Sequence, residues 1–238
     1  MKANLVCIGS GSAGNAYIVN DGDNKLLLEC GINTKAIMQG LNYDVRNLNC
    51  LVTHRHKDHC KYIQGLLTRG INVYSNGDVA DIYKGVTPLQ DKKRYQIGIF
   101  KVMPLRIPHG DTLNYAYVID GSAIGRVVFI TDASDFEYTI PKVNTLLIEA
   151  NYSDDLLLKA IHEQSVRGSS EYHLNIDTTI EVIKRHYTPD LRRVVLLHLS
   201  DAYSDERAFV GQIRDTFPTI EVYAAAEGRK FSITADYF

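Results

Sequence analysis

Alternation of apolar and polar positions, interrupted by turn residues, organises the first reading of this chain. Asn4 to Ile8, Ala16 to Asn20 and Lys25 to Glu29 carry the two-residue period of strands, and Asp21-Gly22 between the last two reads as a hairpin turn. Helical spacing follows at Thr34 to Gln39, Lys61 to Arg69 and Asp78 to Lys84. A second group of strands is predicted at Phe100 to Leu105, Leu113 to Ile119, Arg126 to Ile130 and Thr145 to Glu149. Helices are then expected at Asp154 to Glu163 and Asp177 to His186. The chain closes with a strand at Arg193 to Leu197, a helix at Asp205 to Thr216 and a strand at Glu221 to Ala224. Strand-rich halves that each end in helices suit two sheets packed face to face with helices outside. The pattern alone specifies only a mixed α/β class.

Length and composition narrow this to one catalytic domain spanning 1–238. Hydrophobic residues make up 45% of the chain, enough for a substantial core, and no Pro/Ser-rich linker, low-complexity tract or short-period repeat divides it. Met1-Lys2-Ala3-Asn4 leads neither into a signal peptide nor into a membrane span, so a cytoplasmic protein without a membrane partner is expected. Cysteines at 7, 30, 50 and 60 show no CxxC spacing and read as reduced core residues. Cys60 follows a candidate ligand, but buried thiols are the commoner case. A net charge of −2 is not the basic balance of a general DNA-binding domain. Local basic character is confined to Arg55, Lys57 and Lys61 and to the run Lys92-Lys93-Arg94.

The chemistry-bearing segment is Thr53-His54-Arg55-His56-Lys57-Asp58-His59. It places four potential metal ligands within six residues, after the apolar Asn49-Cys50-Leu51-Val52. Imidazole and carboxylate together suit zinc, manganese or iron. In an extended loop, residues two apart point the same way, so His54 and His56 can grip one ion. Asp58 and His59 follow as the chain turns toward a helix and can address a second.

Three further residues sit in similar settings. His109 follows a strand in the turn Pro108-His109-Gly110; Asp132 follows Val127 to Thr131, repeating the Val52-Thr53-His54 arrangement; His198 ends the run Val194 to Leu197. Taken singly they read as a turn histidine, a capping aspartate and a core histidine. Together with the first loop they read as ligands at strand ends, where active sites collect. His162 and His186 lie in helical patterns, and His186 follows Lys184-Arg185 on what reads as a solvated face.

A rival motif stands near the N-terminus. Gly9-Ser10-Gly11-Ser12-Ala13-Gly14 matches GxGxxG after a strand, with Glu29 further on. A dinucleotide site needs a helix opening at the third glycine. Asn15 to Gly22 instead alternate and turn, which is a hairpin, so no nucleotide cofactor is expected. The glycines can still let backbone amides approach a substrate phosphate.

The HxHxDH segment resembles the metallo-β-lactamase-fold hydrolases, and more closely their small DNA-exonuclease-like branch, the YycJ/WalJ group. Supporting motifs are Ser10-Gly11-Ser12-Ala13-Gly14-Asn15, Glu149-Ala150-Asn151-Tyr152 with Asp155-Leu156-Leu157, Arg167-Gly168 leading to His173-Leu174-Asn175, and His198-Leu199-Ser200. The resemblance implies a four-layer αββα sandwich. It implies one metal on His54, His56 and His109, a second on Asp58, His59 and His198, and Asp132 bridging both. The ions would be zinc or manganese, with iron possible, and a metal-bound hydroxide would attack the substrate, with Asp58 helping to orient it. Substrate contacts would come from Ser10, Arg167 and His173, the last also a candidate proton donor. Tyr152 or Tyr203 would be placed to stack a base.

Two positions depart from the family pattern. Glu29 stands where an aspartate that orients a ligand histidine is usual, and Tyr172-His173-Leu174-Asn175 lacks a glycine and a serine expected around the histidine. The implied activity is metal-dependent phosphodiester hydrolysis, DNA being degraded from an end. The alternatives are hydrolysis of a small ester, thioester, lactone or cyclic phosphodiester on the same metals, a dinucleotide-binding module, and a nonenzymatic relative.

Overall fold

Both faces of nearly every central strand are buried, which explains why apolar runs here are denser than simple alternation would require. The computed structural model describes residues 2–162 and 172–235. In one sheet β1 (Ala3–Gly9), β2 (Ala16–Asp21) and β3 (Asn24–Leu28) form an antiparallel meander. Beyond β3 the sheet turns parallel through β4 (Leu48–Leu51), β5 (Asn72–Ser75) and the two-residue β6 (Thr87–Pro88). In the other sheet β7 (Tyr95–Ile97), β8 (Phe100–Ile107), β9 (Asn114–Gly121) and β10 (Gly125–Ile130) are antiparallel neighbours. β11 (Thr145–Glu149), β12 (Arg193–Leu197) and β13 (Glu221–Ala224) then continue it in parallel. A last strand, β14 (Lys230–Ser232), returns to pair antiparallel with β1 and completes seven strands in each sheet among the described residues.

The period of two sorts side chains into three cores. Tyr17, Val19, Leu26 and Leu28 meet Tyr117, Val127, Phe129 and Val195 between the sheets. Tyr17 and Phe129 touch edge to face at 5.9 Å, and Tyr117 donates its hydroxyl across the gap to the Val52 carbonyl at 2.7 Å. The intervening residues point outward. Ile18, Leu27 and Cys50 pack under α1 (Thr34–Gly40) and α3 (Ile63–Leu67); Val128, Leu146, Ile148 and Leu196 pack under α6 (Ile176–His186) and α7 (Glu206–Thr216). The result is the αββα four-layer sandwich of the metallo-β-lactamase fold. Each fully buried Leu, Ile or Phe contributes about 1.5–3 kcal/mol.

Several expectations need correction. Lys61 to Arg69 is not one helix: α2 (Lys57–Cys60) ends, the Tyr62 amide bonds the Cys30 carbonyl, and α3 starts afresh. His186 is not on a solvated face. It is 2% exposed, donates from Nδ1 to the Val182 carbonyl and accepts the Ile140 amide at Nε2. After Gly14 comes strand β2, not a helix, so the dinucleotide reading lacks its structural context. All four cysteines are free and buried, as expected. No helix among the described residues is long and apolar enough to cross a membrane.

Candidate metal centre

Parallel strands bring their carboxyl ends to one edge, and the ligand candidates occupy that edge. Ile130, Ile148 and Leu196 are in register across β10, β11 and β12, so Asp132, Glu149 and His198 emerge side by side. β8 runs in the same direction and delivers His109 just past Ile107. The other sheet contributes the segment after β4, with His56 at the N-cap of α2 and Asp58 and His59 in its only turn.

Two ligand sets result. Donor atoms of His54, His56, His109 and Asp132 lie within 4.8 Å of one another, as do those of Asp58, His59, Asp132 and His198. Asp132 belongs to both. Its Oδ2 is 3.8 Å from His54 Nε2, 3.2 Å from His59 Nε2 and 3.9 Å from His109 Nε2, and its Oδ1 is 3.7 Å from His198 Nε2. Asp58 Oδ2 lies 3.2 Å from His59 Nε2 and 3.4 Å from His198 Nε2. His56 Nδ1 and His109 Nε2 approach to 3.1 Å.

The residues fit metal ions on a direct test. His54 Nε2 is buried without a hydrogen-bond partner, while its Nδ1 is bonded to Thr53 Oγ1 at 2.9 Å. A buried nitrogen lone pair without a partner is costly, and a cation relieves it. Clustered nitrogen and carboxylate donors in two sets around a shared aspartate are suited to a dinuclear site.

Charge divides the two sets. Burial pushes the pKa of His54, His56 and His109 down, so these imidazoles are neutral and ready to ligate. Burial also opposes charge on His59 and His198, but the carboxylates, Asp132 foremost, outweigh it. His59 is raised well above its ordinary value and His198 is raised to about 10. Asp132 and Asp58 are held low despite burial, Asp132 chiefly by the charges of His198 and His59 and Asp58 chiefly by hydrogen bonds from the same two rings. In the metal-free protein the second set is therefore held together by protons.

Behind each half stands a fully buried glutamate. Glu29, just past β3, accepts the Thr53 amide at 3.2 Å and lies 3.6 Å from His59 Nδ1. Its arm, one methylene longer than the usual aspartate, reaches both points of the ligand loop. Glu149, at the end of β11, lies 2.5 Å from His173 Nδ1 and 3.3 Å from His198 Nδ1. His173 stacks on His198 with ring centroids 5.3 Å apart. Asp132, Glu149, His173 and His198 form a third compact group. Within it the Glu149 carboxylate is already shared by His173 and His198, so these three form a hydrogen-bonded triad beside Asp132 rather than an open ligand set.

Sequence reasoning gave no role to Glu149 or to four buried asparagines. Each asparagine amide holds a carbonyl of a ligand segment: Asn15 the Asp58 carbonyl at 3.3 Å, Asn76 that of Thr53 at 2.9 Å, Asn114 that of Asp132 at 2.6 Å and Asn151 that of His198 at 2.9 Å. Asp132 (φ 52°) and His198 (φ 50°) adopt left-handed backbone, which turns their carbonyls out of the ladder and leaves them needing a donor. The signal in the sequence was an asparagine inside or beside an apolar strand, as at Asn114 and Asn151. Gly31 is equally constrained, because a Cβ there would sit 1.6 Å from the Asp58 carbonyl oxygen.

Of the remaining candidates, Ser10 accepts the His198 amide at 2.9 Å and lines a cleft of about 560 Å³ beside the second set. Arg167 lies outside the described residues. Tyr152 is half-buried, but Tyr203 is 5% exposed and offers no face to a base, which removes it as a stacking platform.

A sandwich whose strand ends carry two His/Asp sets around one shared aspartate defines a metallo-β-lactamase-fold hydrolase. The beta-lactamase superfamily domain matches residues 27–199, and the chain belongs to that family. It is 24% identical over 223 residues to the exodeoxyribonuclease YycJ of Bacillus anthracis, covering 84% of this chain and 83% of that protein. The fold is shared with the metallo-beta-lactamase fold protein YhfI of Bacillus subtilis, with a TM-score of 0.75, 23% identity and coverage of 98% of this chain and 100% of that one. It is also shared with a diphosphatase of the PhnP family, with a TM-score of 0.69, 14% identity and coverage of 100% and 99%.

Proposed function

We propose that this chain is a dinuclear metal-dependent phosphodiesterase that shortens DNA from an end. The two ligand sets sharing Asp132 carry the hydrolytic part of this reading. The relationship to YycJ, an exodeoxyribonuclease, over most of both chains supports DNA as substrate. His54, His56 and His109 would hold one divalent ion, Asp58, His59 and His198 the other, and Asp132 both. Two such ions supply Lewis acidity, lowering the pKa of water and neutralising the charge that builds on the phosphoryl oxygens.

The protein's own groups perform the remaining work. Asp58, whose carboxylate is ionised and partly open to solvent, orients the attacking oxygen through its free lone pairs. Burial disfavours the charged form of His173, but the Glu149 carboxylate outweighs it and raises the pKa of His173. A protonated imidazole at the mouth of the centre donates a proton to the departing sugar oxygen. Glu149 simultaneously fixes that ring and the ring of His198.

The test is cleavage of end-labelled DNA in manganese by wild type, His56→Ala and Asp132→Ala, with bound metal counted in each. Stepwise shortening by wild type, lost in both variants, supports the reading. Intact DNA in the presence of metal-loaded wild type sinks it. Hydrolysis of a small ester, thioester, lactone or cyclic phosphodiester on the same metals would then lead.

A further inference from the structure

The basic run at Lys92 to Arg94 lies far along the chain from every ligand loop, yet the fold carries it toward the centre. The backbone amide of Lys92 donates to the Pro104 carbonyl, and that of Arg106 donates to Asp91. The run therefore lies along β8, the strand whose carboxyl end delivers His109. Arg106 is exposed three residues before that histidine. Lys93, Arg94 and Lys101 are exposed as well. Arg94, Lys101 and Arg126 line one small concavity of about 130 Å³ at the far end of the same strand.

Two of these cations rest on aromatic rings, and among the described residues none of the five is neutralised by an ion pair. Lys92 Nζ lies 5.5 Å from the centroid of the Tyr138 ring and Lys93 Nζ 5.5 Å from that of Tyr95, contacts that hold an ammonium group in place while leaving its charge available. Among the described residues, Lys92, Lys93, Arg94, Lys101 and Arg106 form no ion pair, whereas Asp120 beside them is already paired with Arg126 at 2.7 Å. The opposite flank has the reverse character. Among the described residues, the cleft beside His198 is lined by Asp201, Glu206 and Glu227 without a lysine or arginine, and only Glu206 of the three is paired, with Arg229 at 2.6 Å.

We infer that the β7–β8 edge of the second sheet is a docking strip for the phosphate backbone of a nucleic-acid strand, guiding it to the centre from the His109 side. This rests on the reading of the centre as a DNA phosphodiesterase and adds the path of the substrate. Lys101 and Arg106 stand an odd number of residues apart on a strand without a bulge and leave opposite faces of β8, so the strip follows the strand's edge between them, roughly 17 Å at ~3.3 Å per residue. That is long enough to meet a few successive phosphates of one strand rather than a single anion. The acidic cleft repels a polyanion on the other side, so the charge distribution gives the strand one direction of approach.

The strip is tested by fluorescence anisotropy, with a labelled single strand of about 25 nucleotides in EDTA at salt between about 50 and 200 mM. Wild type is compared with the triple variant Lys93→Gln, Arg94→Gln, Lys101→Gln. The expected result is weaker binding by the variant and a salt dependence shallower by about two, three cations at ~0.7 each. Hydrolysis of the p-nitrophenyl ester of thymidine 5′-monophosphate by the metal-loaded variant stays at the wild-type rate, because that substrate is too short to reach the strip. Equal affinities and equal salt slopes overturn the inference, even if wild type degrades DNA. Displacement of the strand by an acidic polypeptide as readily as by unlabelled DNA also overturns it, since the surface would then be a general anion binder. If wild type binds DNA through these residues but cleaves neither DNA nor the ester, the strip stands and the catalytic reading falls.

Discussion

The two halves of the molecule reach one metal centre by different means. The first half delivers four ligands from one continuous segment, His54 to His59, seated on Gly31 and tied down by Glu29. The second half delivers three from separate strand ends, with Asp132 and His198 in left-handed backbone and their carbonyls held by Asn114 and Asn151. The glutamates behind them differ in kind. Burial dominates at Glu29 and raises its pKa against the pull of His59, whereas His173 and His198 together overcome burial at Glu149 and lower it. Both segments have carbonyls held by asparagines, Asn15 and Asn76 in the first half and Asn114 and Asn151 in the second; what the dispersed set adds is a charged hub, Glu149, shared by two rings.

The sharpest way to break this contrast is Asp132→Ala, which removes the one side chain common to both ligand sets. Turnover is expected to fall by on the order of 10³-fold or more, the scale of losing a group that acts on transition-state charge, with neither set retaining tight metal. His56→Ala should leave the second set loaded, so metal counting by mass spectrometry under native conditions separates the two variants.

Next comes the comparison of the glutamates. Removing a group that orients a metal ligand costs about 10–100-fold in affinity or activity. Glu149→Gln should sit at the upper end because it loosens two rings, and Glu29→Gln at the lower. Equal effects in steady-state kinetics and metal titration would erase the distinction between anchor and hub. His173→Gln sharpens it further. Loss of a proton donor slows DNA hydrolysis by roughly 10²-fold or more but spares a p-nitrophenyl ester, whose leaving group needs no proton.

The proton-held second set predicts a pH effect of opposite sign with and without metal. His198 has a folded-state pKa of about 10 against an ordinary 6.5, and His59 is raised as well. A raised pKa contributes stability that is complete below 6.5 and is lost as pH climbs through 10. Chelated protein should therefore lose this contribution across that window. Metal must displace those protons, so metal affinity rises about tenfold per pH unit for each proton released. The gap in Tm between loaded and chelated protein should widen from pH 6.5 upward. A gap independent of pH would show that the second set binds without releasing protons.

The smallest effects are expected at the asparagines. Asn114→Ala leaves the Asp132 carbonyl buried without a donor, a cost of about 1–3 kcal/mol in unfolding free energy by denaturant titration. Asn15→Ala should cost less, because the backbone amide of residue 15 still donates to the Asp58 carbonyl at 2.8 Å.

The same contrast explains what could be read from the chain alone. The ligand segment was legible because its chemistry is local: spacing and residue type suffice. The central strands were legible because both faces are buried, as at β11 and β12, whose observed bounds are the expected ones; β13, half exposed, also keeps its expected bounds. Short or polar strands were not. β5, β6, β7 and β14 span two to four residues each, and β14 owes its existence to β1, more than 220 residues away. The asparagines and Glu149 were illegible in role, because an asparagine reads as a turn former until its surroundings bury it. His109, Asp132 and His198 were readable as strand-end residues, and the family resemblance grouped them; the register that brings Asp132 and His198 side by side is seen only in the fold.

The four asparagines that hold the ligand carbonyls are buried and stand at or beside strand ends, Asn15 before β2, Asn76 after β5, Asn114 opening β9 and Asn151 past β11. Among the described residues, none of these braces is exposed on the outer rim. Segments at the rim can therefore be lengthened, shortened or grafted from another sandwich while the hydrolytic core stays seated, which makes this chain a scaffold whose substrate range can be re-engineered separately from its chemistry.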